Sequence, residues 1–309
     1  MASYKVEQIP DPRLDLGEGP HWDSENQSLF YVNLFEATIH RLDYKHNKVY
    51  SATVEGCTFA SFVIPVKGRK NELVVGDGTR LVLVSWNGIS GTAQLIKVLA
   101  DLGEKAAGHR WNDGKVDSRG RLYAGTMIIE DDGKDPFKTN SGCFYRYDAK
   151  TASFVEQFSG LFVSNGLAWN DKSKQFYFVD SGTNDIKRFD VDAAGNLVNG
   201  KVFFDLKKIE QNSINFFDGM TIDTDGNLYV AVFHGSKVVK INSNGKIIQE
   251  IQIPAKQVTS VAFGGPNLDE LFVTTAKKQV IEPQHPPAGA TFKVTGLGTR
   301  GTAMNAVEL

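Results

Sequence analysis

The chain has 309 residues, with 34 lysines and arginines against 36 aspartates and glutamates. This balance gives no field that would attract a polyanion, so we expect no nucleic-acid or membrane partner and favour a small neutral or anionic ligand. No apolar run approaches the about 20 residues that cross a bilayer, and the first five residues lack the apolar core of a signal peptide, so we expect a cytoplasmic protein.

Short runs of β-branched and aromatic residues recur along the chain, and the first residues of successive runs stand 43 to 54 positions apart. The runs are Leu29–Val32, Leu73–Val75, Leu122–Ala124, Phe176–Val179, Leu228–Ala231 and Leu271–Thr274. A period near this length with several short strands per unit is typical of propeller blades. The sequence therefore predicts an all-β fold, a six-bladed β-propeller with four-stranded blades around a central channel, formed as a single domain over residues 1–309.

Turn residues and the two terminal segments agree with a closed ring of strands. Polar turns that end at Gly120, Gly226 and Gly245 supply the left-handed backbone that hairpins need. Closing a ring removes exposed sheet edges, often by letting one terminus complete the sheet of the other. We therefore expect residues 4–9 and 291–295 to share one sheet.

Four polar residues occupy one phase of the repeat, 10 or 11 positions before the heart of a strand: Glu18, Asn112, Asn165 and Asp218. Equal phase in a closed repeat implies equal place, so these side chains should meet at the mouth of the channel. A tight turn would explain one such residue alone, but it gives no reason for the whole set to be acidic or amide. The polar residues five positions later are interpreted as hairpin residues only: Asp23, Asp117, Asn170 and Asp223.

The chemistry of this set favours a divalent cation. Glu18 and Asp218 would repel each other, and one would take up a proton unless a cation lay between them. A set of oxygen atoms without histidine or thiolate suits calcium, magnesium or manganese better than a soft-ligand zinc site. Three tryptophans near the expected mouth have two open readings, as the wall of an aromatic ligand site or as packing between blades: Trp22, Trp111 and Trp169.

Five motifs resemble those of the family that contains gluconolactonase, regucalcin and the luciferin-regenerating enzyme. They are Leu16–Asp23, Arg110–Asp117 with Ala124–Met127, Ser164–Trp169, Asp218–Asp223 and Val294–Gly298. The resemblance spans essentially the whole chain, and Val258–Leu271 is most similar to the luciferin-regenerating branch. Family members are six-bladed propellers with one divalent metal ion in the channel. The resemblance thus implies metal ligands at Glu18, Asn165 and Asp218, and substrate contacts from Arg110, Asn112 and Glu130. The expected ion is calcium, with magnesium, manganese or zinc as alternatives.

Two positions depart from the pattern of the family. Tyr31-Val32-Asn33 stands where relatives commonly have Phe-Val-Asp, a change expected to rearrange the channel near the first blade. Residues 131–137 form an insertion-like loop where the lid of the family varies. The substrate preference is therefore left open.

The expected activity is divalent-metal-dependent hydrolysis of a lactone or a similar small ester. Asp218 is expected to act both as a metal ligand and as the general base. Two alternatives stay open: a luciferin-regenerating enzyme that acts on oxyluciferin, and a non-catalytic calcium-binding regulatory protein. A calcium buffer has no need of Arg110, Asn112 and Glu130 at the mouth, so this substrate shell favours an enzyme. We expect a small-molecule substrate and a monomer or weak dimer.

Overall fold

The computed structural model describes residues 4–130, 134–210, 213–278 and 283–309. The first nine strands are β1 (Lys5–Gln8), β2 (Gly17–Asp23), β3 (Ser28–Asn33), β4 (Thr38–Asp43), β5 (Lys48–Val54), β6 (Val63–Pro65), β7 (Glu72–Asp77), β8 (Arg80–Ser85) and β9 (Thr92–Asp101). The next eight are β10 (His109–Val116), β11 (Leu122–Ile128), β12 (Gly142–Asp148), β13 (Ser153–Leu161), β14 (Ser164–Asn170), β15 (Gln175–Asp180), β16 (Asp185–Val191) and β17 (Leu197–Asp205). The last seven are β18 (Phe216–Ile222), β19 (Leu228–Phe233), β20 (Lys237–Ile241), β21 (Ile247–Gln252), β22 (Gln257–Gly264), β23 (Glu270–Ala276) and β24 (Phe292–Thr295). Short 3-10 turns span Gly103–Ala106, Pro136–Lys138 and Leu206–Lys208.

Burial along the strands follows their sequence pattern. Every residue of β3, β11 and β19 is buried, which explains the continuous apolar runs that mark the repeat. In the outer strand β21, exposed and less exposed positions alternate, as they do when one face meets water. The described strands make the chain all-β, as the sequence predicts.

The prediction of six separate four-stranded blades is wrong. Among the described residues the strands form four four-stranded sheets and one eight-stranded sheet, whose order is β2-β3-β4-β5-β9-β8-β7-β6. The eight-stranded sheet is continuous because β5 and β9 pair in parallel, with Thr53 opposite Thr92 and Val54 opposite Ala93. Unpaired edge strands offer free backbone N–H and C=O groups, and here two such edges satisfy each other. The arrangement is propeller-like, but its first two strand meanders are merged.

The two ends of the chain share one sheet, which confirms the prediction for the terminal segments. Strand β1 lies antiparallel to β24, with Lys5 opposite Thr295 and Gln8 opposite Phe292. The order of this sheet is β1-β24-β23-β22. Trp22 of β2 also stacks on Phe272 of β23 at 5.5 Å between ring centroids. The first and last parts of the chain are therefore joined by hydrogen bonds and by core packing.

The first strands of successive sheets contact one another around a channel. Contacts run from β2 to β22, from β22 to β18, from β18 to β14 and from β14 to β10. Hydrophobic clusters fill the spaces between neighbouring sheets, and the edge-to-face pair Tyr229 and Phe263 is one example. This packing fixes the first strand of each sheet, and with it the side chains at the mouth.

Residues 298–309, the C-terminal segment, contact several hairpins of the sheets. Gly301 bridges to Asp223, and Val307 bridges in parallel to Val66. The Glu308 N–H donates to the Gly120 carbonyl at 2.9 Å. The segment therefore connects hairpins that belong to different sheets.

Within the described ranges, no helix has both the length and the apolar character needed to cross a lipid bilayer. The assignment of residues 1–309 to one domain, and the expected cellular location and partners, stay predictions.

Candidate functional site

A β-bulge interrupts the first strand of four sheets where the predicted polar residues lie. The register shifts between Glu18 and His21, between Trp111 and Gly114, between Ser164 and Leu167, and between Phe217 and Met220. A bulge bends its strand and re-aims the side chains that it carries. This local irregularity is the structural basis of the repeat phase seen in the sequence.

Glycines at the bulges let neighbouring strands approach closely. A Cβ atom on Gly166 would lie 2.7 Å from the backbone oxygen of Asp218, which is too close for any side chain. The glycine after Asn165 is thus needed for packing against β18. This contact brings Asn165 and Asp218 together.

Glu18 and Asp218 form the centre of an acidic site, and both are buried. Burial raises the pKa of Glu18 to about 8, and the nearby Asp113 carboxylate adds to the rise. Burial also raises the pKa of Asp218 well above its usual range, with further contributions from Glu18 and Asp113, while the Asn165 amide acts in the opposite direction. These mutual effects place Glu18, Asp113 and Asp218 within electrostatic reach of one another.

Asp113 also belongs to this site, although the repeat phase of the sequence does not single it out. Its carboxylate is buried, and its Oδ1 accepts a hydrogen bond from the Gly114 N–H at 2.8 Å. Burial raises the pKa of Asp113, and Lys115 partly offsets the rise. A signal was available, because glycine directly follows Glu18, Asn165 and Asp218, and at this repeat the residue before glycine is Asp113.

Asn165 is held by a short chain of hydrogen bonds. Its Nδ2 donates to Ser181 Oγ at 3.0 Å, and that hydroxyl donates to the Phe217 carbonyl at 2.6 Å. These bonds fix the amide and leave its oxygen as the open acceptor. Among the described residues, neither Asn165 Oδ1 nor Asp218 Oδ1 has a hydrogen-bond partner, although both atoms are buried.

The predicted substrate residues form one connected group. Arg110 is almost fully buried and donates to Asn112 Oδ1 at 2.7 Å and to Glu130 Oε2 at 3.0 Å. Asn112 in turn donates from Nδ2 to the Ser164 carbonyl at 2.8 Å. Asn112 therefore lies with Arg110 and Glu130, and their contact with a substrate stays a prediction.

Two further side chains, Lys278 and Phe35, complete this group at the mouth. Lys278 Nζ lies 3.9 Å from Glu130 Oε2 and 4.0 Å from the centroid of the Phe35 ring. The Arg110 guanidinium carbon lies 5.6 Å from the same centroid. Burial alone would raise the pKa of Glu130, but Arg110 and Lys278 lower it below its ordinary value. Glu130 is thus an anion between two cations.

Lys115 provides a positive charge further along the channel. Its Nζ donates to the Leu167 carbonyl at 3.0 Å and to the Met220 carbonyl at 2.7 Å. Burial lowers the pKa of this ammonium group, and Asp113 acts in the opposite direction. Lys115 links the bulged strands β14 and β18 and offsets part of the negative charge of the acidic site.

The polar residues that follow the four predicted site residues by five positions have the structural role in hairpins that was predicted for them. Asp117 Oδ1 accepts hydrogen bonds from the backbone N–H groups of Arg119 and Arg121, each at 3.0 Å. Asp223 Oδ1 accepts in the same way from Asp225 and Asn227. These carboxylates shape hairpins at the far end of the first strands.

Two of the three tryptophans belong to the core, and the third is partly buried beside it. Trp22 and Trp111 are fully buried, and Trp111 packs against Tyr145 and Phe154. Trp169 packs against Phe176 at 4.7 Å between ring centroids. Burial therefore excludes Trp22 and Trp111 as walls of a ligand site, and core packing is the role seen for them.

Of the two departures from the family pattern, Asn33 lies within the described residues and the predicted lid loop does so only in part. Asn33 is buried, and its Oδ1 accepts a hydrogen bond from the Leu16 N–H at 3.1 Å, which anchors the chain just before β2. Of the predicted lid loop, residues 131–133 lie outside the described residues. Phe137, at its end, packs against Phe216 at 5.0 Å between ring centroids.

The described residues contain no group of three or more histidine, cysteine, aspartate or glutamate side chains arranged to hold a metal ion. The predicted ligand set has two carboxylates and one carboxamide, so it differs from such a group in composition. The metal-ligand assignment stays a prediction.

The fold and the site together define an all-β, propeller-like protein with buried carboxylates at the mouth of its channel. The family model described as SMP-30/Gluconolactonase/LRE-like region matches residues 16–277, and the chain belongs to this family. It is 34% identical to regucalcin of Gallus gallus, with 97% of each chain covered, and 32% identical to regucalcin of Homo sapiens, with 98% of each covered. A solved structure of a luciferin-regenerating enzyme matches with a TM-score of 0.91 and 34% identity, over 99% of this chain and 100% of the other. The resemblance deduced from the motifs is thereby confirmed.

Proposed function

We propose that the chain hydrolyses a lactone or a similar small ester with the help of one divalent cation, calcium first among the candidates. The observation that carries this proposal is a pair of buried oxygens, Asn165 Oδ1 and Asp218 Oδ1, that have no hydrogen-bond partner among the described residues, beside the raised pKa values of Glu18 and Asp218. Unpaired buried acceptors are costly, and like charges in close proximity disfavour ionisation, so the site suits a hard cation.

Glu18, Asn165 and Asp218 would hold the ion, and Asp113 would add negative charge nearby. When bound, such an ion polarises an ester carbonyl and lowers the pKa of a coordinated water. Asp218 would accept a proton from the attacking water as the general base.

Arg110, Asn112 and Glu130 would bind and orient the substrate. Arg110 has its terminal nitrogens on Trp111, Asn112 and Glu130, while its buried Nε has no hydrogen-bond partner in the described part of the chain. That N–H is the donor we assign to a substrate hydroxyl or to the developing oxyanion. Glu130, held as an anion by Arg110 and Lys278, would accept hydrogen bonds from substrate hydroxyls.

The test is replacement of Asp218 by Asn and by Ala, with lactone hydrolysis and calcium affinity measured on the same preparations. Both variants should lose at least about 10²-fold in turnover, the usual contribution of a general base, and should bind calcium more weakly. Asp225→Asn, at an exposed hairpin of the same sheet, is the matched control and should keep both properties. Full turnover by Asp218→Asn with calcium still bound would overturn the assignment.

The second candidate is luciferin regeneration, favoured by the 34% identity to a luciferin-regenerating enzyme over nearly all of both chains. Trp22 and Trp111 give it no support, because both lie in the core. Oxyluciferin should be assayed beside the lactones. Turnover of oxyluciferin alone would replace the hydrolase proposal, and calcium binding without turnover of either substrate would favour a non-catalytic calcium-binding protein.

A further inference from the structure

We propose that Lys278 and the face of Phe35 form a subsite for an anionic group of the substrate, such as a carboxylate, at the edge of the mouth. This inference rests on the proposed function and names the class of substrate: a lactone or ester that carries a negative charge away from the reacting bond.

Three separate parts of the chain build this subsite. Lys278 follows strand β23, Phe35 lies in the connection between β3 and β4, and Glu130 follows β11. They meet because Lys278 Nζ lies 4.0 Å from the Phe35 ring centroid and 3.9 Å from Glu130 Oε2. Phe35 also packs edge-to-face on Phe59 at 6.2 Å, which supports its ring from the side.

Among the described residues, the connected group at the mouth has one cation in excess. Arg110 and Lys278 are two positive groups facing the single negative charge of Glu130. Arg110 makes a 3.0 Å hydrogen bond to that carboxylate, whereas Lys278 Nζ at 3.9 Å is beyond hydrogen-bond length. Arg110 therefore neutralises Glu130 more directly, and of these two cations Lys278 is the one whose charge is more available to an anionic group at the edge of the mouth.

Exposure separates the two cations in the same way. The Arg110 side chain is 1% exposed, while that of Lys278 is 33% exposed. A buried guanidinium bonded to its neighbours has a fixed place. A partly exposed ammonium over an aromatic ring can turn its N–H donors to an incoming carboxylate and still keep its contact with the ring.

The acidic site does not cancel this excess once a divalent cation is bound. Glu18, Asp113 and Asp218 carry three negative charges when ionised, which one divalent ion and Lys115 balance. Within the described part of the chain, the connected group of Arg110, Lys278 and Glu130 then keeps a net positive charge. A neutral sugar lactone would leave this charge without a partner.

The experiment compares two lactones that differ in one group. Glucono-γ-lactone ends in a neutral hydroxymethyl group, and glucaro-γ-lactone has a carboxylate in its place. The wild-type protein with calcium should have the higher kcat/KM for glucaro-γ-lactone. Lys278→Met should lower that preference by about two- to fivefold, mainly through KM, which is the size expected for one partly exposed ion pair.

The adjacent Lys277→Met is the matched control, since it removes the same charge one position away. Lys277 Nζ donates to the Arg13 carbonyl at 2.8 Å, away from Glu130, so this variant should keep the preference. Equal effects of Lys278→Met on both lactones would mean that Lys278 only positions Glu130, and this would overturn the subsite.

Direct binding separates this inference from the proposed function. If neither lactone is hydrolysed, the hydrolase proposal fails, and calorimetry with glucarate and the calcium-loaded protein still tests the subsite. Weaker glucarate binding by Lys278→Met than by Lys277→Met supports the subsite in that case, and equal binding overturns it.

Discussion

His40 is a buried histidine held between two hydroxyl groups. Its Nδ1 lies 2.7 Å from Ser51 Oγ and its Nε2 lies 3.1 Å from Thr38 Oγ1, while its ring stacks on Tyr31. Burial lowers the pKa of His40 to about 4, so the folded protein disfavours the charged imidazolium. The unfolded chain takes up a proton near pH 6.5, and this difference links His40 to stability.

We predict that His40 makes the protein less stable as the pH falls from about 6.5 to 4. A depressed folded pKa means that the stabilisation is complete above the unfolded pKa and is lost as the pH falls through the folded pKa. His40→Gln cannot take up the proton, so the advantage of wild type over this variant should shrink by about 2 kcal/mol between pH 7 and pH 4.5. Denaturant unfolding at several pH values measures this difference.

His46→Gln, at an exposed histidine after the same strand, is the control and should leave the acid loss of stability in place. A difference between wild type and His40→Gln that stays constant with pH would show that His40 has no part in the acid response.

The residues of the candidate site were predictable to different extents. Glu18, Asn165 and Asp218 followed from repeat phase, because a bulge recurs at the same place in the first strands. Asp113 was missed because phase singles out one residue per repeat, and Asn112 occupies that phase. Lys278 could not be found in this way, since its contact with Glu130 joins connections that follow strands in different sheets.

At the scale of the elements, close packing of neighbouring sheets depends on glycine. A Cβ atom on Gly125 of β11 would overlap Ser164 of β14 and would lie 3.0 Å from Phe144 Cδ2. Gly91, in contrast, has no heavy atom of the described residues within 4 Å of the place that its Cβ would take. Gly125 therefore has no room for a side chain, whereas Gly91 has room for one.

We predict that Gly125→Ala destabilises the protein by about 1–3 kcal/mol, because overpacking forces neighbouring strands apart. Ser164→Gly removes the overlapping side chain, so Gly125→Ala should cost less in that background. A double-mutant cycle by denaturant unfolding measures the coupling. Gly91→Ala is the control and should change stability by less than about 0.5 kcal/mol. Equal costs of Gly125→Ala in both backgrounds would rule out the contact as the cause.

At the scale of the whole molecule, the period of the sequence predicted the strands and their approximate positions but not every pairing between them. The pattern of apolar residues along a strand indicates which of its faces is buried. The six apolar runs between Leu29 and Thr274 show this pattern and therefore predict strands. Pairing between strands uses backbone N–H and C=O groups that almost every residue has. The side chains of Thr53 and Thr92 therefore do not indicate the parallel pairing that merges the first two meanders. The predicted separate blades failed for this reason.

The C-terminal segment is a second feature of the whole molecule that pattern could not predict. It has no regular strand and makes isolated bridges instead, with Gly301 at Asp223 and Val307 at Val66. Val307 is fully buried, and its N–H donates to the Pro65 carbonyl at 3.0 Å. Its carbonyl accepts from the Lys67 N–H at 2.9 Å.

We predict that the C-terminal segment braces the ring of sheets. A chain that ends at Met304 loses the buried Val307 side chain and the backbone hydrogen bonds of Val307 and Glu308, so its free energy of unfolding should fall by about 3–5 kcal/mol. Val307→Ala keeps the hydrogen bonds and leaves a cavity, so it should lose only about 2 kcal/mol. Denaturant unfolding, followed by tryptophan fluorescence, measures both variants beside Val198→Ala, an exposed valine of β17 whose loss should have little effect.

Because the segment contacts hairpins of different sheets, the truncated chain should still unfold in one transition at a lower midpoint. An unchanged midpoint would mean that the bridges add nothing to the stability of the ring, and loss of the sheets on one side alone would mean that they stabilise only their nearest hairpins.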